Sequence, residues 1–248
     1  MASCASTDRA RSTALCTVIS TSAAAVGLGY WLFMSPRSQR FGSFPYMAST
    51  TEKVVALSFD DGPNEPFTSQ IAAFLRSRSV QATFFQVGRC VERHPEVTLR
   101  LVSDGHAIGS HSYSHKFWHC LSWSKQREDI EKGQQAVASL IGRRPRLFRP
   151  PWLFRHPWML QSLRTQGTQP VSGVFGDLLE VFQPRPEAMA ARAVAKVRPG
   201  TILIFHDGFD ARGGPRGRTV AAVKLVVDHL LEQGYHFTTI DRLLGVPS

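Results

Sequence analysis

Two adjacent carboxylates, Asp60 and Asp61, follow the apolar run 54–59 and precede Gly62-Pro63. Asp, Gly and Pro alone would make a turn. Neighbouring carboxylates repel, however, and the pair becomes favourable when a cation neutralises one and leaves the other to handle protons. His111 and His115 stand at i and i+4 in His111-Ser112-Tyr113-Ser114-His115. On one helical turn both imidazoles would face the same way and chelate a single ion. With Asp61 they make a two-histidine, one-carboxylate set that suits one divalent ion, Zn²⁺ first, with Co²⁺, Ni²⁺ and Mn²⁺ as alternatives. Arg149 reads either as the partner of a helix terminus or as a clamp that orients Asp60 and keeps it ionised. His206 closes the run 201–205 and is read as a general acid rather than a core histidine.

These residues need elements to hold them. Short apolar runs at 54–59, 82–87, 107–109, 147–149, 171–175, 201–205 and 236–239 alternate with helical patterns from residue 53 onward. Apolar spacing predicts helices around Ile71, Phe74 and Leu75, around Val97 and Leu101, and from Ile130 to a stop at Gly142. Further helices are predicted over 158–163, over 188–197 after Pro186, and over 220–231. Alternation of this kind predicts an α/β fold with a parallel sheet, and seven strands in one domain predict a barrel. Asp60 and Asp61, His111 and His115, Arg149, Asp177 and His206 then all fall at strand ends. The C-terminal ends of parallel barrel strands open on one face, where chemistry gathers.

The ordered motifs resemble those of the polysaccharide deacetylases with a NodB homology domain, carbohydrate esterase family four, over about residues 53–244. The motifs are Ser58-Phe59-Asp60-Asp61-Gly62-Pro63, Ala82-Thr83-Phe84-Phe85, His111 to His115, Arg149-Pro150-Pro151-Trp152 and Ile202-Leu203-Ile204-Phe205-His206-Asp207. The resemblance implies a distorted seven-stranded (β/α) barrel. It implies Asp60 as catalytic base, Asp61, His111 and His115 as metal ligands, and His206 as catalytic acid. It also implies a backbone N–H near Trp152 for the oxyanion and Ile204 in the acetyl-methyl pocket. The implied reaction is metal-dependent removal of acetyl groups from N-acetylated, chitin-like sugars. The alternatives are an O-acetyl esterase or another amide hydrolase on the same scaffold, or an inactive carbohydrate-binding relative. Two departures stand out. Leu153 follows Trp152 where many members carry Gly, and Gly176-Asp177-Leu178-Leu179 replaces an Asp-Trp motif. Asp177 is assigned there as the partner of His206.

The chain of 248 residues divides into a leader and linker over 1–51 and a catalytic domain over 52–248. Residues 12–36 carry no charge, and the window 13–34 is long enough to span a bilayer, with Arg9 and Arg11 before it and Arg37 and Arg40 after it. A signal anchor or uncleaved signal is the first reading, giving a membrane-anchored or secreted protein; an organellar transit peptide is the alternative. Residues 37–51 read as a linker. The net charge of +10 favours acidic partners, and five arginines lie between Arg143 and Arg155, but no nucleic-acid module accompanies them. Hydrophobic residues at 43% and charged residues at 19% exclude a disordered chain. Cys4, Cys16, Cys90 and Cys120 form no C-x-x-C pair, so a thiolate metal site is excluded; Cys90 and Cys120 are either a disulfide or two buried thiols. Oligomeric state is not encoded in any of these patterns.

Overall fold

In the computed structural model, residues 24–247 are described. A helix occupies 24–33 (α1). The barrel unit then runs β1 (Val54–Asp60), α2 (Phe67–Ser77), β2 (Thr83–Gln86), α3 (Gly88–Arg93), α4 (Pro95–Ser103) and β3 (Ala107–Ser110). It continues through α5 (Phe117–Cys120), α6 (Trp123–Ile141), β4 (Leu147–Phe148), α7 (Met159–Thr165), β5 (Gln169–Pro170) and β6 (Val174–Phe175). It closes with α8 (Pro186–Val194), β7 (Ile202–His206), α9 (Gly217–Glu232), β8 (His236–Thr238) and α10 (Ile240–Leu244).

Seven parallel strands follow the order β5-β4-β3-β2-β1-β7-β6, and β8 adds to the start of β1. This is the distorted barrel expected. One strand is placed differently. The run 171–175 is paired only at Val174–Phe175, and Gln169–Pro170 forms a separate strand against β4. Residues 171–173 cross the seam between β5 and β6.

Alternation along the central strands divides core from site. In β1, Val55, Leu57 and Phe59 pack outward with Ile71 and Leu75 of α2 and Val223, Val226 and Val227 of α9. Ser58 and Asp60 therefore point the other way, into the barrel, since successive side chains alternate faces. In β7, Leu203 and Phe205 join the same outer core, which sends Ile202, Ile204 and His206 inward. The register sets Asp60 beside His206. Helix α2 buries Thr68, Ile71, Ala72 and Leu75, one face at helical spacing. Helix α6 ends where Gly142 takes φ 74°, the left-handed cap that the sequence signalled.

The stretch 37–51, expected as a linker, is bonded to the barrel. Phe44 is fully buried and Ser38 nearly so. Met47 pairs antiparallel with Thr201, the Ala48 N–H donates to Gly200 at 2.8 Å, and the Ser172 N–H donates to the Pro45 carbonyl at 2.9 Å. The chain had no strand-like periodicity here because it pairs at single points along a seam. No described helix is long and apolar enough to cross a membrane. Residues 13–23 of the window 13–34 lie outside the described residues, as do Cys4 and Cys16. Cys90 and Cys120 are buried free thiols.

The buried His106 supplies a stability test. Its Nδ1 accepts the Ala82 N–H at 3.1 Å and its ring meets Phe84 edge-on at 5.2 Å. Burial pushes its pKa down from 6.5 to about 4. The unfolded chain then binds the proton more readily, so the stabilisation is complete above pH 6.5 and is lost as pH falls toward 4. The loss is roughly 3 kcal/mol between pH 7 and pH 4. His106→Asn keeps an acceptor but does not titrate. In urea unfolding, the stability difference between wild type and His106→Asn is expected to shrink by that amount on acidification; a difference independent of pH would refute it.

Candidate active site

At the C-terminal mouth of the barrel, Asp60, Asp61, His111, His115, Trp152 and His206 line a cavity of about 300 Å³, closed on one side by Glu180 and Val181. Each reaches it through a local device. Asp61 takes φ 77° just past the end of β1, and this turn carries its carboxylate across to the histidines. Gly62 is required there because a Cβ would lie 2.1 Å from Oδ2 of Asp207. The loop after β3 is held against α6 where Gly133 leaves room for the Ser112 backbone, only 2.4 Å from where a Cβ would be.

His111 and His115 do not share a helical turn. They lie in that loop, where Ser112 and His115 adopt φ 65° and 51°. Two left-handed residues curl the chain tightly enough to bring the imidazoles together, with ring centroids 5.1 Å apart. Their Nε2 atoms sit 3.4 Å and 3.0 Å from Asp61 Oδ1. The three ligand atoms lie within 4.8 Å of one another, all on buried residues.

The donor chemistry fits a divalent cation. Oδ1 of Asp61 is buried without a hydrogen-bond partner, while its Oδ2 accepts the Asp210 N–H at 3.1 Å. His111 Nδ1 lies 2.7 Å from the Arg149 carbonyl, which fixes the proton on Nδ1 and leaves Nε2 a lone pair toward Asp61. The Asp210 carboxylate lies 3.3 Å from His115 Nδ1, at ion-pair distance without a hydrogen bond. Burial opposes ionisation of Asp61, but the charge of His115 and the closeness of both imidazoles hold its carboxyl well below the ordinary 3.8. Burial also disfavours a charged His115, yet Asp61 and Asp210 raise its pKa to about 10.

Asp60 is held separately. Arg149 Nη1 donates to Asp60 Oδ1 at 2.7 Å and to Ser58 Oγ at 2.8 Å, and Nη2 donates to the Ser172 carbonyl at 2.8 Å. Arg149 is fully buried and lies 4.1 Å over the Phe85 ring. The clamp expected from sequence is therefore present.

His206 has a different partner from the one assigned. Glu180 Oε2 lies 2.9 Å from Nδ1, and Glu180 Oε1 accepts the His206 N–H at 2.9 Å. Asp177 instead pairs with Arg192 at 2.6 and 3.0 Å and accepts the Leu179 N–H at 3.0 Å, which caps the turn leading to Glu180. The correction follows from reach: the longer acid, one turn onward, arrives at the imidazole. Burial lowers the His206 pKa, but the Glu180 charge and hydrogen bond outweigh it and raise it to about 9. A second correction concerns Ile204, which is buried with Phe148 and Leu153 beneath the site and does not line the cavity. The apolar wall is Leu153, Phe175, Leu178 and Val181.

Sequence reasoning missed Glu180 and Asp210. Glu180 directly follows Gly176-Asp177-Leu178-Leu179, and its only signal is an acid three residues past Asp177. Asp210 lies four residues after His206 in a turn, where it looks like an ordinary loop acid.

A parallel barrel whose mouth gathers an aspartate and two histidines that could hold a metal ion, beside a second, clamped aspartate and a histidine paired to an acid, brings together the groups of a hydrolase site. The chain belongs to the polysaccharide deacetylase family, whose profile matches residues 47–171. It is 31% identical over 204 residues to a peptidoglycan-N-acetylglucosamine deacetylase of Bacillus cereus, covering 82% of this chain and 93% of that one. It is 32% identical over 190 residues to a chitooligosaccharide deacetylase of Azorhizobium caulinodans, covering 73% and 90%. Among solved structures, a peptidoglycan N-acetylglucosamine deacetylase bound to an N-oxidanyl-benzamide aligns with TM-score 0.75 at 25% identity, over 82% of this chain and 92% of that chain. A family-four pseudoenzyme from Bacillus anthracis shares the fold, with TM-score 0.72 at 24% identity, over 82% and 69%.

Proposed function

We propose that this protein is a metal-dependent deacetylase that hydrolyses the acetamido group of N-acetylated oligo- or polysaccharides of the chitin or peptidoglycan kind. The observation that carries this reading is the orphaned Asp61 Oδ1 facing two imidazole Nε2 atoms, with an Arg149-clamped Asp60 and a Glu180-paired His206 beside it.

Asp61, His111 and His115 would hold the cation, with Zn²⁺ the first choice and Co²⁺, Ni²⁺ or Mn²⁺ the alternatives. Bound there, it supplies a Lewis acid that polarises the acetyl carbonyl and makes water nucleophilic. Asp60 accepts the proton of the attacking water; Arg149 keeps its carboxylate aimed. The backbone N–H at Trp152 donates to the carbonyl oxygen as that oxygen gains charge, when such a bond is strongest. His206, cationic near neutral pH through Glu180, gives its proton to the departing amine. The C–N bond breaks, and acetate and a free amino sugar leave. The relatives named for peptidoglycan support an envelope location, membrane-anchored or secreted, with residues 13–34 as the proposed anchor.

The test is acetate release from N-acetylchitooligomers, peptidoglycan fragments and acetylated xylan, before and after chelation. The expected result is release from the N-acetylated sugars, stopped by chelator and restored by Zn²⁺, with one divalent ion per chain. Release from xylan alone would show an O-acetyl esterase. A purified chain that binds no stoichiometric ion and releases no acetate would show an inactive relative.

A further inference from the structure

Arg155 is fully buried, yet its guanidinium is met by main-chain oxygens rather than by a carboxylate. Nη1 donates to the Leu153 carbonyl at 3.0 Å, and Nη2 donates to the carbonyls of Ser35 at 2.9 Å and Ser38 at 3.0 Å. Its own N–H donates to the Phe33 carbonyl at 3.0 Å, and its guanidinium lies 4.7 Å over the Phe44 ring. Four of these five contacts belong to the stretch 33–44, upstream of the barrel. Burying a guanidinium is costly unless its donors are paired, so this cradle is a specific arrangement.

The remaining contact reaches into the active site. Trp152 and Leu153 are consecutive non-glycine residues at φ 53° and 54°. Left-handed backbone costs an L-residue roughly 1–2 kcal/mol, so this turn persists only if its surroundings hold it. Trp152 lines the cavity with its ring 4.3 Å from that of His115, so the shape of the turn sets the wall beside the candidate metal ligands. The same upstream stretch supports the clamp on Asp60. The Ser172 carbonyl that accepts Arg149 belongs to a residue whose Oγ donates to Pro36 and whose N–H donates to Pro45.

We propose that Arg155 is a positioning residue whose guanidinium, gripped by the Ser35 and Ser38 carbonyls, holds the strained Trp152–Leu153 turn in its working shape, so that residues 33–45 belong to the catalytic unit. The proposal rests on the deacetylase reading for its kinetic consequence and on geometry for its structural one. Misplacing a positioned group by about an ångström can lower turnover by around 10²-fold. Any processing of the leader must then fall upstream of Phe33 for activity to survive.

The test uses the full chain with Arg155→Met and Arg155→Lys. Both are expected to keep wild-type far-UV circular dichroism and to bind Zn²⁺ with unchanged stoichiometry. In Arg155→Met, kcat for acetate release is expected to fall about 10- to 100-fold with KM within threefold, because transition-state alignment is lost rather than sugar binding. Arg155→Lys, which keeps the charge but not the three-way fork, should fall less. The near-UV signal contributed by Trp152, taken as the difference from Trp152→Phe, should change in both variants. A folded Arg155→Met with wild-type kcat and an unchanged Trp152 signal overturns the proposal. If Arg155→Met does not fold, Arg155→Lys decides on the same two readouts; failure of both to fold also overturns it, since the role is then structural. If the wild type releases no acetate from any sugar, the deacetylase reading fails alone, and the Trp152 signal still decides the position of the turn.

Discussion

An Asp60→Asn protein is expected to keep its bound cation and to lose about 10²- to 10⁴-fold in kcat for acetate release, the range a positioned general base contributes. The substitution is nearly isosteric. Its amide oxygen can still accept from Arg149, so the geometry of the clamp, 2.7 Å in the native protein, survives. What disappears is the capacity to take a proton. Because that step belongs to the transition state, kcat and kcat/KM should fall together with KM little changed. Arg149 will face a neutral group in a fully buried position, and removing one partner of such a pair costs about 3–5 kcal/mol, so turnover must be measured well below Tm. Asp61→Asn gives the contrasting phenotype. Its Oδ1 faces the Nε2 atoms of both imidazoles, and the loss of its charge should abolish stoichiometric metal by equilibrium dialysis and remove turnover with it. Wild-type turnover in Asp60→Asn would show that another group takes the proton.

The sequence marked the two adjacent carboxylates as a pair with divided roles, and the family resemblance named Asp60 as the base; the structure adds the geometric difference between them. Position 60 ends β1 with its side chain inside the barrel, whereas position 61 lies past the strand and turns away. The barrel itself was readable because β1 and β7 are continuous apolar runs between two layers, a pattern peculiar to buried parallel strands. The two-residue strands β4, β5 and β6 carry too little pattern to be bounded, which is why 171–175 was read as one strand. The i, i+4 spacing of His111 and His115 singled out two imidazoles that the structure does bring together, but not on the helical turn expected. A curled loop with φ 65° and 51° does what a helical turn was expected to do, and left-handed serine and histidine leave no compositional mark. The seam along 33–48 was illegible because its contacts are main-chain carbonyls, which every residue has. Arg155 was visible only as one of a basic cluster, since an arginine bound to carbonyls looks in sequence like one in water.

The Glu180–His206 pair sets how the activity should depend on pH. Burial lowers the His206 pKa, while the Glu180 carboxylate first, and then the charges of Asp61 and Asp60, raise it to about 9. Glu180→Gln removes the largest of the raising influences and leaves burial in place. Its amide oxygen can still accept from Nδ1–H, so the ring keeps its tautomer and orientation, and the charge is what changes. The pKa should then fall toward the ordinary 6.5, and His206 becomes neutral, unable to donate, at a lower pH than in the wild type. Activity requires the cation, so the alkaline limb of the kcat profile must move to lower pH. At pH 8.5 the wild-type imidazole is mostly protonated, whereas one with a pKa of 6.5 is protonated in about 1% of molecules, a loss of about 10²-fold. Near pH 6 the two enzymes should converge. A bound cation repels the imidazolium and lowers both limbs in the same direction, so the separation between wild type and variant is the quantity to compare. Asp177→Asn serves as the control. Its carboxylate pairs with Arg192 rather than His206, so it should leave the alkaline limb where it is. A limb that moves with Asp177 and stays fixed with Glu180 would return the pairing to the residue first assigned.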